Sequence, residues 1–232
     1  MISILDLLFP KSCTICSKYG SYLCDRCKKL FKRTLPECYI CRRLSTHYLT
    51  HKKCGSPFSL DSVCVLWEYN NLSSVILKKY KYGLAYDIGS SINSLVIQAL
   101  KRLQIKFCNK TVVIPVPISI NRLRERGFNQ TVDISKTIAE HLGCEQRTDI
   151  IYRYNGDSTH QSMLDRDERL GQKNYFYIIN PSLLDTYENI IIVDDVITTG
   201  TTLEQISKVI KIYNPNIPVN AICLFRGRAY YK

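Results

Sequence analysis

Four consecutive β-branched residues, Ile190 to Val193, constrain this fold more than any other stretch. Successive side chains of a strand point to opposite faces, so such a run must be covered on both sides, as in a parallel sheet packed between helices. In IIIVDDVITTGTTLEQI (190–206) the run leads into Asp194 and Asp195. Thr198, Thr199, Gly200, Thr201 and Thr202 follow, and then apolar residues at helical spacing. The same alternation fills the chain after Ser59. SVCVLWEY (62–69) reads as a strand, and NLSSVILKKYKYGL and IGSSINSLVIQALKRL (88–103) read as helices. TVVIPVP (111–117) is a buried strand that runs into prolines, and FNQTVDISKTIAEHLG is a helix ending at Gly143. IIYRY (150–154) is a short strand, TTLEQISKVIKIY a helix and VNAICLF (219–225) a last strand. The expectation is an α/β domain over 61–232, a mostly parallel sheet flanked by helices, preceded by a small module over 1–60.

That first part is rich in cysteine. Seven of eleven cysteines precede residue 55, as Cys13-x-x-Cys16, Cys24-x-x-Cys27, Cys38-x-x-Cys41 and then His51-x-x-Cys54. Each pair can bring two donor atoms onto one ion, and a tetrahedral zinc needs two pairs. One or two structural Zn²⁺ ions are expected. Pairing in chain order would give a four-cysteine site and a three-cysteine, one-histidine site. Cross-braced pairing, first with third, is equally allowed by the spacing, and His47 competes with His51. A disulfide framework does not suit a chain read as cytosolic, and a redox role would need one Cys-x-x-Cys rather than three. Metal would also explain how about fifty residues with few large apolar side chains fold. Cys64, Cys108, Cys144 and Cys223 read as buried thiols.

The net charge is +12, of which residues 1–60 carry +8 and residues 61–232 carry +4. A basic module points to a polyanionic partner, nucleic acid before membrane, although a solvated basic surface has the same composition. The apolar run Ile2–Phe9 stops at Pro10-Lys11 and lacks the flanks of a secretory signal. No stretch approaches the roughly 20 apolar residues of a spanning helix, so a cytoplasmic protein without a membrane span is expected.

Ligands of open α/β sheets bind beyond the carboxyl ends of the strands, which is where Asp194 and Asp195 fall. The threonine-rich turn and the helix N-terminus after it suit a phosphate. Two carboxylates suit sugar hydroxyls, or Mg²⁺ held through water. Together they describe a site for a ribose 5-phosphate. A Walker B strand would need GxxxxGK[ST], which is absent, and no GxGxxG follows a strand. A receiver-type phosphoacceptor aspartate would leave the threonines unexplained.

IIIVDDVITTGTTL (190–203) resembles the phosphoribosyl pyrophosphate (PRPP) motif of type I phosphoribosyltransferases. IPVPISINRLRERGFNQ (114–130), LLFPKSCTIC and LCDRC resemble the corresponding regions of the ComF family of DNA-uptake and competence-related proteins. The resemblance implies a type I phosphoribosyltransferase-like fold behind a zinc module. It implies that Asp194 and Asp195 contact ribose, with Mg²⁺ bound alongside PRPP, and that Thr198, Thr199, Gly200, Thr201 and Thr202 cradle the 5-phosphate. Pro115-Val116-Pro117 would form the pyrophosphate loop, with Arg122, Arg124 and Arg126 beside it. Those arginines read equally as an exposed basic turn. Lys81 and Tyr82 match a Lys-Tyr pair after the first strand. THQSMLDRDERLGQ (159–172) is similar to the family's closing loop, matching at Gln161, Leu164 and Arg169 but with Gln172 where Asn is usual. Asp165 to Glu168 read as a solvated, self-paired face.

On one reading the chain transfers phosphoribosyl from PRPP·Mg²⁺ to a nitrogen acceptor, and no residue stands out as a general base. On the other it is a non-catalytic, PRPP- or nucleotide-regulated binder of single-stranded DNA. Tyr19, Tyr22, Phe31, Tyr39 and Tyr48 would then stack bases between cationic side chains. The family's setting adds DNA-uptake or helicase proteins as partners.

Overall fold

The computed structural model describes residues 11–82, 85–105, 110–154 and 175–227. Arg169 with the rest of the 159–172 loop, Cys108 and the Ile2–Phe9 run lie outside the described residues. The elements in order are α1 (Asp25–Lys28), a 3-10 turn (Thr46–Tyr48), β1 (Ser62–Glu68), α2 (Asn71–Tyr82), α3 (Ala85–Leu103) and β2 (Thr111–Pro115). Then come α4 (Ile120–Arg126), α5 (Gln130–Leu142), β3 (Glu145–Gln146), β4 (Ile151–Arg153) and β5 (Phe176–Ile178). A second 3-10 stretch (Pro181–Thr186), β6 (Asn189–Ile197), α6 (Thr201–Tyr213) and β7 (Val219–Arg226) complete the chain.

Five strands form one parallel sheet in the order β1-β7-β6-β2-β3, and β4 pairs antiparallel with β5. The isoleucine run is the middle of this sheet. Ile190, Ile191, Ile192 and Val193 are all 0% exposed. Ile191 and Val193 pack with Ile88, Ile92 and Val96 of α3 and with Ile134 and Ile138 of α5. Ile190 and Ile192 face the other way, onto Leu203, Ile206 and Ile210 of α6. The run is unbroken because both faces are core, and each such side chain contributes roughly 1.5–3 kcal/mol by its burial.

The chain steps from β2 outward to β3, then returns to lay β6 and β7 on the other side of β2. The strand order therefore reverses between β2 and β6. A crevice opens beyond their carboxyl ends, and that crevice is the default ligand position in such sheets.

The cysteine-rich segment covers the edge strand β1. The backbone N–H of Glu68 donates to the Lys32 carbonyl at 2.8 Å, and Arg33 pairs with Trp67 and Leu49 with Ser62 as isolated antiparallel bridges. These contacts occupy backbone groups that an open edge would leave exposed for pairing with other chains. Leu23 and Phe31 from this segment join Trp67 and Phe225 in one core, and Tyr39 and Leu60 join the other. No helix among the described residues is long and apolar enough to cross a membrane.

Candidate phosphoribosyl site and metal centres

The cavity at the switch point has a volume of about 170 Å³. Asp194 and Asp195, from the end of β6, line it together with Val116 and Pro117, which follow β2. The Asp195 backbone N–H donates to Asp194 Oδ1 at 2.8 Å. Lys81, in the last turn of α2, forms an ion pair with Asp195. Burial, and next the charge of Asp195, push the Asp194 carboxyl up to about 8. The floor of the cavity is therefore acidic but poorly solvated, and Lys81 already compensates one carboxylate.

The opposite wall is cationic, with Arg122, Arg126 and Arg153 lining it. Arg126 lies over the Tyr82 ring at 5.1 Å and donates to Tyr82 Oη and to Gln130 Oε1, both at 3.2 Å. Arg126 Nε and Gln130 Nε2 are buried without a hydrogen-bond partner among the described residues. Both atoms lie behind the cavity surface, while the Arg122, Arg126 and Arg153 side chains that line it supply the positive charge an anionic ligand would meet. Arg124 is exposed on the same short helix and is not among the residues that line the cavity.

The GFNQ sequence holds this wall in place. Gly127 ends α4 in the left-handed region, φ 76°. Asn129 caps α5 by accepting from the Thr131 N–H at 3.2 Å, and its amide donates to the Val116 carbonyl at 3.0 Å. The Thr131 hydroxyl donates to the same carbonyl at 2.9 Å. The helix start and the Val116-Pro117 turn are thereby one unit.

Of the threonine turn, Thr202 lines this cavity, while Thr198 and Thr201 line neighbouring pockets. Gly200 is the N-cap of α6 with φ 91° and brings no capping side chain, so the N–H groups of the first helical turn face the loop. The Thr199 and Thr201 hydroxyls lie 2.9 Å apart. A Cβ at Gly200 would stand 3.0 Å from two ring carbons of Tyr39. We expect Gly200→Ala to cost about 2 kcal/mol through the positive φ and this contact and to weaken phosphate binding. Chemical denaturation and phosphate titration measure the two effects, and wild-type values for both would refute the assignment of the turn.

Arg153 is a charged cavity residue that the sequence did not single out. It comes from β4, its guanidinium lies 5.5 Å from the Phe176 ring centroid, and burial followed by the charge of Arg122 lowers its pKa. The available signal was a single cation in IIYRY, two residues from Ile151 and so on the same, core-facing side of the strand.

Cys13, Cys16, Cys24 and Cys27 converge with their ligand atoms within 4.8 Å of one another, and Cys38, Cys41, His51 and Cys54 do the same. Pairing is therefore in chain order rather than cross-braced, and His47 stands outside both sets. Cys16 Sγ and Cys24 Sγ are 3.6 Å apart, close to the ~3.8 Å edge of a tetrahedron with Zn–S bonds of ~2.3 Å. Cys41 Sγ and His51 Nδ1 are 3.3 Å apart. Burial raises the Cys13 pKa, but backbone N–H groups of Cys24, Cys16 and Ile15 outweigh it and bring the thiol down to about 6. Each cluster can hold one zinc ion. Two of the turns share a device: Ser17 and Arg42, each next after the second cysteine of its pair, have φ 59° and 60°. Of the five aromatic residues read as base-stacking candidates, Phe31 and Tyr39 are buried in the two cores, Tyr22 and Tyr48 are half-buried, and Tyr19 is 73% exposed.

The fold is an α/β domain with a mostly parallel sheet flanked by helices and a cysteine-rich module before it, and residues 132–232 match the family model of the phosphoribosyl transferase domain. Over most of its length the chain is similar to Competence protein F of Haemophilus influenzae, 28% identical over 197 residues, 82% of this chain and 84% of that protein. It is similar to DNA utilization protein YhgH of Escherichia coli O157:H7, 25% identical over 235 residues, 95% of this chain and 99% of that protein. It is also similar to Competence protein ComFC of Bacillus subtilis, 26% identical over 239 residues, 93% and 95% of the two chains. The resemblance to the ComF family thus extends along nearly the whole chain.

Proposed function

We propose that residues 61–232 bind PRPP with Mg²⁺ and that the protein acts in the uptake or use of DNA, as the names of its relatives suggest. The observation that carries the reading is one cavity that brings Asp194 and Asp195 together with Arg122, Arg126 and Arg153, with Thr202 of the first turn of α6 on its wall. Asp194 and Asp195 would accept from the ribose hydroxyls, and Thr198 to Thr202 would enclose the 5-phosphate. Val116, Pro117, Arg122, Arg126, Arg153 and Lys81 would surround the pyrophosphate. Mg²⁺, entering with the pyrophosphate and facing the two carboxylates, would neutralise charge on the leaving group. If phosphoribosyl is transferred, the residues contribute by positioning C1 and by fixed positive charge where pyrophosphate departs.

Calorimetric titration of the zinc-loaded protein with PRPP and Mg²⁺ tests this reading, with saturable 1:1 binding expected and no heat of binding refuting it. Because the ligand-free Asp194 carboxyl sits at about 8, binding that requires the carboxylate releases a proton at pH 7. Affinity should therefore fall as pH drops below about 8, by up to about tenfold per unit, and level off above it. Equal apparent heats at pH 7 in buffers of different ionisation enthalpy would contradict this. Acceptor-dependent pyrophosphate release would mark a transferase.

A second reading, single-stranded DNA held by the module, is favoured by one surface. Lys28, Lys29, Arg33 and Arg102 line a groove between the first cysteine cluster and α3. Affinity falling steeply with salt would support it.

A further inference from the structure

The second cysteine cluster lies directly against the threonine turn, although the two are about 150 residues apart in sequence. Tyr39, between Cys38 and Cys41, is 2% exposed and rests its ring on Gly200, where a Cβ would come within 3.0 Å. Its hydroxyl donates to Glu204 Oε1 in the first turn of α6 at 2.9 Å. Arg42, directly after Cys41, reaches the Thr198 carbonyl at 3.4 Å. These two residues touch the turn before, at and after its glycine.

The other flank of the turn is fixed by the end of β7. A Cβ on Gly227 would stand 2.7 Å from the Thr198 methyl, and the Gly227 N–H donates to the Ile197 carbonyl at 2.8 Å. Arg226 ties the cysteine cluster to the same strand end, donating to the Tyr39 carbonyl at 2.7 Å and pairing with Glu37 at 3.1 Å. The turn is thus gripped between the sheet and a segment whose backbone path depends on Cys38, Cys41, His51 and Cys54 converging.

We infer that Tyr39 and Arg42 are positioning residues for the phosphate turn, and that metal in the second cluster sets the affinity of the phosphoribosyl site. This rests on the function proposed above. Removing the ion would free the Cys38–Cys54 segment, withdraw the Tyr39 ring from Gly200, and leave the turn free to sample conformations that do not present its N–H groups together. A site whose competent state is only partly populated binds more weakly by that fraction. Linkage is reciprocal, so a ligand in the phosphate turn must hold metal more tightly in the second cluster by the same factor. The first cluster makes no contact of this kind with the turn among the described residues.

The test uses the full-length protein carrying two zinc ions, with ribose 5-phosphate and PRPP·Mg²⁺ as probes. Equilibrium competition with a chromophoric chelator is run with and without probe, and probe affinity is measured for wild type, Tyr39→Phe and Arg42→Ala. Tyr39→Phe keeps the ring on Gly200 and removes only the bond to Glu204, so it should fold. The expected result is that probe tightens one zinc of the two by roughly 5-fold or more, that Arg42→Ala loses that selectivity and binds probe several-fold more weakly, and that Tyr39→Phe, which keeps the ring contact, loses only part of each. Wild-type binding with equal zinc retention in both clusters and unchanged variants would overturn the inference while leaving the phosphoribosyl site standing. Absence of probe binding by zinc-loaded wild type would overturn both.

Discussion

Replacing both carboxylates, Asp194→Asn with Asp195→Asn, is expected to lower affinity for PRPP·Mg²⁺ by about 100-fold or more and to raise affinity for metal-free pyrophosphate. The two signs follow from one arrangement. With the sugar present, the carboxylates are acceptors for ribose hydroxyls, and charge-assisted bonds of this kind contribute roughly 1.5–3 kcal/mol each. Asparagine keeps an acceptor but not the charge. With pyrophosphate alone there is nothing for the acids to accept from, and the Asp195 carboxylate paired with Lys81 repels it. The substitution also releases Lys81 from its ion pair with Asp195, adding a free ammonium to a wall that already holds Arg122, Arg126 and Arg153. A unit charge at several ångströms in a partly buried cleft makes a gain of about tenfold a reasonable expectation. Calorimetry with the two ligands measures both. A parallel loss for both would mean that the variant has lost the cavity itself, and no change for PRPP·Mg²⁺ would remove the acids from the site.

The parts of this site that sequence made legible are those built from contiguous residues. The strand, acids, turn and helix of 190–206 are one local unit, and burial of Ile190 to Val193 on both faces is what their composition demanded. Asn129 and Gln130 belonged to a recognisable signature, and the structure supplies its physical basis: Asn129 caps α5 and donates to the Val116 carbonyl, and Gln130 accepts from Arg126. Boundaries shifted for local reasons. TVVIPVP leaves the sheet at Pro115, though the Val116 N–H still reaches the Val193 carbonyl at 2.9 Å. Strand β6 runs beyond its acids because Val196 and Ile197 pair with Phe225 and Arg226.

Residues brought together by tertiary folding were not legible. Arg153 enters the cavity on a three-residue strand, where its spacing from Ile151 gives the side it faces but not the cavity it reaches. The arginines of 122–126 could be read as a turn at the pyrophosphate or as a solvated basic patch. The structure divides them, with Arg122 and Arg126 on the cavity and Arg124 in solvent. Spacing could not choose between the two metal pairings, since the longer loops of a cross-braced arrangement cost little more to close than the shorter loops of chain order. The structure makes the choice by bringing Cys13, Cys16, Cys24 and Cys27 together and Cys38, Cys41, His51 and Cys54 together.

Chelation of both metals is expected to shift the emission of Trp67 to longer wavelength and to lower stability by several kcal/mol. Trp67 is the single tryptophan of the chain and is 4% exposed. Its ring packs edge-on against Phe31 at 6.2 Å and tilted against Phe225 at 5.7 Å. Phe31 belongs to the segment that follows the first cysteine cluster, where Cys27 sits within α1. Structural zinc binds small modules with roughly 10–16 kcal/mol, comparable to the whole stability of an ordinary domain, about 5–15 kcal/mol. The module's own apolar groups cannot replace that contribution, so without metal Phe31 should leave the cluster and admit water to one face of the indole. The Lys32 carbonyl and the Arg33 bridge would leave with it, exposing the β1 edge, and the chelated protein should associate at high concentration. Phe31→Ala separates the causes. It should reproduce part of the emission shift with both metals bound, while leaving the edge covered and the protein monodisperse. Unchanged Trp67 emission after complete removal of zinc would show that residues 11–60 stay docked without metal, and that packing rather than coordination holds them to the sheet.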